Sequence, residues 1–186
     1  EDITKIKVNE KAHRGLFMSF QYPSEVGGVT ISNFLRTAYN SIKKTNISVI
    51  DFQKSLKEKM KLIDMADNFS RRYLNDGFSG GEKKKTEILQ MLMLEPKFAL
   101  LDETDSGTDI DSIKSIANAI NKVRIASNMG ILIITHYQKF LNYIKPDKIF
   151  IMIDGKIVKE GDSSLALRLE ELGYEWVKEN KVALNS

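Results

Sequence analysis

Cysteine is missing from this sequence altogether, and that absence closes several routes. No disulfide can hold the fold, so a reducing compartment is the simple reading. The chain cannot by itself ligate an iron–sulfur cluster or a structural zinc through thiolates. Any metal it binds is a hard cation on oxygen ligands, and magnesium is the first candidate. No stretch approaches the ~18 consecutive apolar residues of a membrane helix. An excess of charge of one sign is also lacking. Lys plus Arg number 28 against 25 Asp plus Glu, a formal charge of +3, too small to argue for a nucleic-acid partner. No internal repeat or low-complexity linker interrupts the chain.

What is present suits one domain of ordinary size. The 186 residues are 42% apolar and 28% charged, enough apolar material for a real core. The apolar run Gly15 to Phe20 reads as a buried strand, ended by Gln21-Tyr22-Pro23. From Ser24 to about Gly77 the pattern is helical, with Phe34, Leu35, Ala38, Tyr39 and Ile42, then Phe52, Leu56, Met60 and Ile63, at helical spacing. Beyond Gly77 helices and strands alternate. Glu82 to Glu95 is predicted helical and Phe98 to Leu101 a strand, followed by a helix through Ile113, Ile116, Ala117, Ile120 and Val123. Ile131 to Thr135 reads as a fully buried parallel strand. A short helix over Phe140 to Ile144 precedes a hairpin turning at Asp154-Gly155, and a last helix stops at Gly173. Such alternation means an α/β fold on a parallel sheet.

Chemistry concentrates at loop starts. Phe98 to Glu103 is an apolar strand ending in two adjacent carboxylates, at the sheet edge where α/β proteins bind ligands. Asp102 suits a magnesium ion, and Glu103 suits orienting or deprotonating an attacking water. The plainer alternative is a polar loop after a buried strand. Ser79-Gly80-Gly81-Glu82 precedes a helix, and Ser79 with Glu82 makes a capping box. A cap alone does not call for two glycines, whereas a phosphate approaching the helix N-terminus does. His136 follows the Ile131 to Thr135 strand, where it could reach a terminal phosphate. A structural histidine is the alternative. Ser106-Gly107-Thr108-Asp109 is either a functional loop or the cap of the next helix.

The order of these segments resembles that of ABC-type ATPases. That resemblance implies a parallel core sheet with an inserted helical subdomain. The core would comprise 1–23 and 78–162, the insert 24–77, and a helical tail 163–186. It implies ATP and Mg2+ as ligands. Gln21 then sits as the glutamine sensing Mg2+ and the γ-phosphate, and Asp102 as the magnesium residue. Glu103 becomes the catalytic glutamate and His136 the switch histidine. Ser79, Gly80, Gly81 and Glu82 form the signature that closes over a partner subunit's ATP in a transient self-dimer, and Ser106 and Asp109 belong to the D-loop. Gln21-Tyr22-Pro23, Lys83-Lys84-Lys85, Thr135-His136-Tyr137-Gln138, Ile144-Lys145-Pro146-Asp147 and Gly173-Tyr174-Glu175-Trp176 resemble one branch more closely, the SufC-type ATPases of iron–sulfur cluster assembly. Such ATPases work in cytoplasm or plastid-type stroma, with SufB- and SufD-like scaffold proteins as partners, without nucleic acid and without entering the membrane. A nucleotide-binding subunit of a membrane transporter is the other reading.

One element of that family is not in the sequence. No glycine begins the phosphate loop G-x-x-x-x-G-K-[ST], whose backbone N–H groups and lysine hold the β- and γ-phosphates. The expectation is an N-terminal segment ahead of Glu1. A regulatory module without that loop is the alternative. The sequence as it stands is expected to bind ATP poorly and to leave apolar sheet surface uncovered.

Overall fold

The computed structural model describes residues 2–173 together with Trp176 and Val177. Of the expected tail 163–186, residues 174, 175 and 178–186 lie outside the described residues. Two compact units follow one another, Glu1–Thr135 and His136–Ser186. The fold is α/β on a parallel sheet, as predicted.

In the first unit, α1 (Val8–His13) leads into β1 (Leu16–Ser19). After β1 come β2 (Val26–Thr30), α2 (Ile31–Lys43), α3 (Val49–Leu62), a 3-10 turn (Asp67–Arg71) and β3 (Tyr73–Leu74). The core then resumes with α4 (Gly80–Leu94), β4 (Phe98–Asp102), α5 (Ile110–Ser127) and β5 (Gly130–Ile134). Strands β1, β4 and β5 lie parallel in that order. The register pairs Met18 with Leu100 and Leu100 with Leu132. Apolar side chains at helical spacing put Phe52, Leu56 and Met60 of α3 and Ile88, Leu89, Met91 and Leu92 of α4 in the core. Each such side chain contributes about 1.5–3 kcal/mol by leaving water.

The stretch 24–77 is not all helical, as the sequence suggested. Val26 to Thr30 pairs antiparallel with Tyr73 and Leu74 across an irregular register. Gly27 and Gly28 hide this strand from any apolar alternation, and its burial is slight. Thr30 then caps α2 by accepting from the Asn33 amide, and Ser48 caps α3 through the Asp51 amide.

One face of the parallel sheet carries the uncovered apolar surface that was expected, at odds with the full burial expected of Ile131 to Thr135. Because side chains alternate along a strand, Phe17, Ser19, Ala99, Leu101, Ile131 and Ile133 share one face. On it Ser19, Ala99 and Leu101 are fully or almost fully buried. The opposite face is open, with Met18, Phe98, Leu132 and Ile134 all more than 40% exposed. Among the described residues β5 pairs with β4 alone, so Ile131 to Ile134 lie in an edge strand. Its β-branched run imitates a central strand, but nothing among the described residues lies over that second face.

The second unit holds α6 (Gln138–Ile144), the hairpin β6 (Ile149–Ile153) and β7 (Lys156–Gly161), and α7 (Ser163–Leu172). Asp154 and Gly155 turn the hairpin with φ of 50° and 72°, the two positive values a tight two-residue turn requires. Ile149, Ile151, Leu165, Ala166, Leu169 and Val177 form its core. The predicted stop at Gly173 is where α7 ends, with φ of 69°.

Candidate functional site

Two strands deliver the central contact. β1 runs out at Ser19 and β4 at Asp102, so Gln21 and Glu103 emerge at the same C-terminal edge of a parallel sheet. The Gln21 Nε2 donates to Glu103 Oε2 at 2.6 Å. Glu103 adopts a left-handed backbone, φ 45°, while its amide still donates to the Ile134 carbonyl of β5 at 2.9 Å. A non-glycine residue held there stores on the order of 1–3 kcal/mol of strain, and such residues gather at functional sites. Asp102, the last residue of β4, is half-buried beside this pair. Thr104 and Asp105 follow and are buried. Thr135 Oγ1 donates to Asp105 Oδ2 at 2.8 Å, tying the loop after β4 to the end of β5.

The Ser79 segment is built as its spacing predicts. Ser79 Oγ accepts from the Glu82 amide at 3.3 Å, and the Ser79 amide donates to Glu82 Oε2 at 2.8 Å. Both arms of the capping box are present. Arg72, which sequence reasoning passed over, braces this turn. Its guanidinium stacks 4.2 Å from the Phe78 ring and 4.7 Å from the Phe69 ring, and lies 3.8 Å from Glu82 Oε1. Gly80 meets the loop after β4: a Cβ there would stand 2.7 Å from the Gly107 carbonyl oxygen. Only a glycine lets the two loops touch. Ser106 donates its amide to the Glu103 carbonyl at 3.1 Å.

Asp109 is the N-cap of α5, accepting from the Ser112 amide at 2.8 Å and the Ser112 hydroxyl at 3.0 Å. Those two bonds hold its carboxyl below the ordinary aspartate range. His136 is exposed and opens the second unit, directly after Thr135. So the first unit brings Gln21, Asp102 and Glu103 to one edge, and sets Gly80 against the Ser106 to Asp109 loop.

The oxygen donors at the edge suit a hard cation of the magnesium type. Asp102 offers a carboxylate and Gln21 an amide oxygen, and Mg2+ typically takes only one or two protein ligands beside water and phosphate. Among the described residues no group of three or more His, Asp or Glu side chains could hold a metal alone.

The largest surprise lies beneath the site. Lys84 and Glu87 of α4 are both 3% exposed and grip the backbone of Phe20. Lys84 Nζ donates to the Phe20 carbonyl at 2.6 Å, and the Phe20 amide donates to Glu87 Oε1 at 2.7 Å. Burial pushes the Glu87 carboxyl up, against the opposing pull of the Phe20 amide and Lys84. In sequence Lys84 sits within Lys83-Lys84-Lys85 with Glu87 two positions beyond, and the stretch looks like a solvated face.

Comparison with known proteins follows the same lines. A family model described as ABC transporter matches residues 1–106. Vegetative protein 296 of Bacillus subtilis is 49% identical over 96% of this chain and 69% of its own length. A probable ABC transporter ATP-binding protein of Streptococcus pyogenes is 52% identical, over 96% of this chain and 70% of its own. Among solved structures, a dimeric bacterial ABC transporter cassette superposes with a TM-score of 0.75 at 17% identity, covering 87% of this chain and 69% of that one.

Proposed function

This chain belongs to the ABC transporter family of ATP-binding proteins, and from that premise we propose that it serves Mg2+-dependent ATP hydrolysis at the edge where Gln21 meets Glu103. The 2.6 Å contact between them carries the proposal. It joins a carboxylate able to take a proton from water with an amide that holds it in place. With its Nε2 on Glu103, Gln21 keeps its Oε1 for a cation or a water. Asp102 would hold Mg2+, which when bound offsets the charge of the phosphates. Glu103 orients the attacking water and accepts its proton. His136 would contact the terminal phosphate.

The core at 1–23 and 78–162, the insert at 24–77 and the tail at 163–186 would work as two copies in a transient head-to-tail pair. Each ATP then lies between one copy's phosphate loop and the other's Ser79-Gly80-Gly81. Gly80 against Gly107 supports this, because it carries any shift of the signature turn into the loop after Glu103. The sequence as it stands lacks its own phosphate loop and is proposed to bind Mg-ATP weakly. Calorimetry on the 186-residue chain tests this. Micromolar affinity would sink it.

Two partner readings follow. The Gln21-Tyr22-Pro23 and Ile144-Lys145-Pro146-Asp147 segments support a soluble iron–sulfur assembly scaffold of the SufB and SufD kind, with the ATPase as its cysteine-free motor. The names of the relatives favour a transporter's nucleotide-binding subunit instead. No helix among the described residues is long and apolar enough to cross a membrane, which both readings allow. Affinity purification from the native host separates them. A cysteine-bearing soluble complex supports the first, and a membrane complex supports the second.

A further inference from the structure

Beneath the proposed site, two buried charges hold a backbone rather than a ligand. Phe20 is the residue before Gln21 and is 57% exposed, so packing of its side chain does not fix it. Its two backbone polar groups are fixed instead. The carbonyl accepts from Lys84 Nζ and the amide donates to Glu87 Oε1, while Lys84 Nζ stands 3.6 Å from Glu87 Oε2. With both groups of Phe20 held, the Cα of Gln21 is placed, and only its own torsions remain to aim Nε2 at Glu103.

Burying two charges is costly unless each is paired and hydrogen-bonded. Neutral groups would satisfy one amide and one carbonyl more cheaply. Charge-assisted bonds are shorter and roughly twice as strong, which suits a task that needs rigidity. Both side chains come from α4, the helix that begins at Gly80 in the signature turn. One rigid element thus joins the turn that would cover a partner's ATP to the strand end that carries Gln21.

We propose that Lys84 and Glu87 are positioning residues for ATP hydrolysis: together they clamp the Phe20 backbone so that Gln21 reaches Glu103. The inference rests on the ATPase reading above and assigns a task to two buried residues of α4.

The test is steady-state turnover, in a form of the protein that carries the phosphate loop. Breaking one partner alone risks misfolding, so the main variant is Lys84→Met/Glu87→Leu, because apolar replacement of a buried pair is often neutral for stability. Its kcat is expected to fall about tenfold with KM for ATP changed less than about twofold, the signature of an interaction that matters in the transition state. Glu87→Gln, which keeps an acceptor for the Phe20 amide, is expected to retain most of the activity. In a Gln21→Ala background the double variant should cost nothing further, since the clamp acts only through Gln21. Full additivity of the two losses, or a double variant with wild-type kcat, overturns the proposal. Failure of the ATPase reading looks different: the wild-type protein itself would then show no Mg2+-dependent ATP turnover, and the clamp would lose its task as well.

Discussion

Adjacent glycines at the start of α4 offer a way to separate folding from phosphate contact. An alanine methyl at position 80 would stand 2.7 Å from the Gly107 carbonyl oxygen, well inside any ordinary carbon–oxygen contact. Neither group is the end of a flexible side chain, so backbone must move. Overpacking of that kind costs about 1–3 kcal/mol, or a Tm lower by about 2–4 °C per kcal/mol for a chain of this size. An alanine methyl at position 81 meets Ser112 Oγ at 3.4 Å and the Thr108 methyl at 3.9 Å, ordinary contacts. It also removes a flexible residue from a helix, worth up to about 1 kcal/mol in stability. Gly80→Ala is therefore expected to destabilise and Gly81→Ala to hold or gain stability, read from urea midpoints. Turnover should nevertheless fall in both, because the capping box survives Gly81→Ala while the close approach of a phosphate does not. Gly81→Ala with full stability and full turnover would reduce this segment to a helix cap.

Other expectations follow from the same geometry. Glu87 is raised above its ordinary 4.5 by burial, so the folded state holds its proton more tightly than the unfolded state does. Its contribution is present below that value and lost as pH rises through the folded one. Glu87→Gln should thus gain on the wild type between pH 4.5 and neutrality in denaturation curves, and parallel curves would contradict the shift. Phe52, fully buried and edge-on to Tyr39 at 6.4 Å, should cost about 3–5 kcal/mol as Phe52→Ala. Ile50→Ala, at a site 81% exposed, should stay within about 0.5 kcal/mol. Arg72→Lys should not restore what Arg72→Ala loses, since only the planar guanidinium stacks on both Phe69 and Phe78. A thermal melt of the two variants checks this.

How much of this was legible beforehand varies with the physics involved. The helices at Phe52 to Met60 and Ile113 to Val123 announce themselves because one buried face recurs every three or four residues. The edge formed by Gln21, Asp102 and Glu103 was also readable, because loops at the C-terminal ends of parallel strands converge whatever the intervening sequence. The β2–β3 ladder was not readable, since its pairing is irregular and its first strand is glycine and valine at four of five positions, with little burial to set a period. Ile131 to Thr135 misled because a β-branched run records apolar character, not the presence of a covering layer. Lys84 and Glu87 were hidden most thoroughly. A lysine among lysines gives no sign that its ammonium meets a backbone carbonyl sixty-four positions earlier. Arg72 likewise acquires its role only when Phe69, Phe78 and Glu82 close around it.

The central claim is that Glu103 serves the attacking water and that Gln21 holds it there. Glu103→Gln, in a form of the protein carrying the phosphate loop, tests it most directly, with Mg-ATP binding by calorimetry and turnover measured on the same sample. The account predicts affinity within a few-fold of wild type and turnover lower by about 100-fold or more, as for loss of a general base. Turnover at the wild-type rate with binding intact would contradict it.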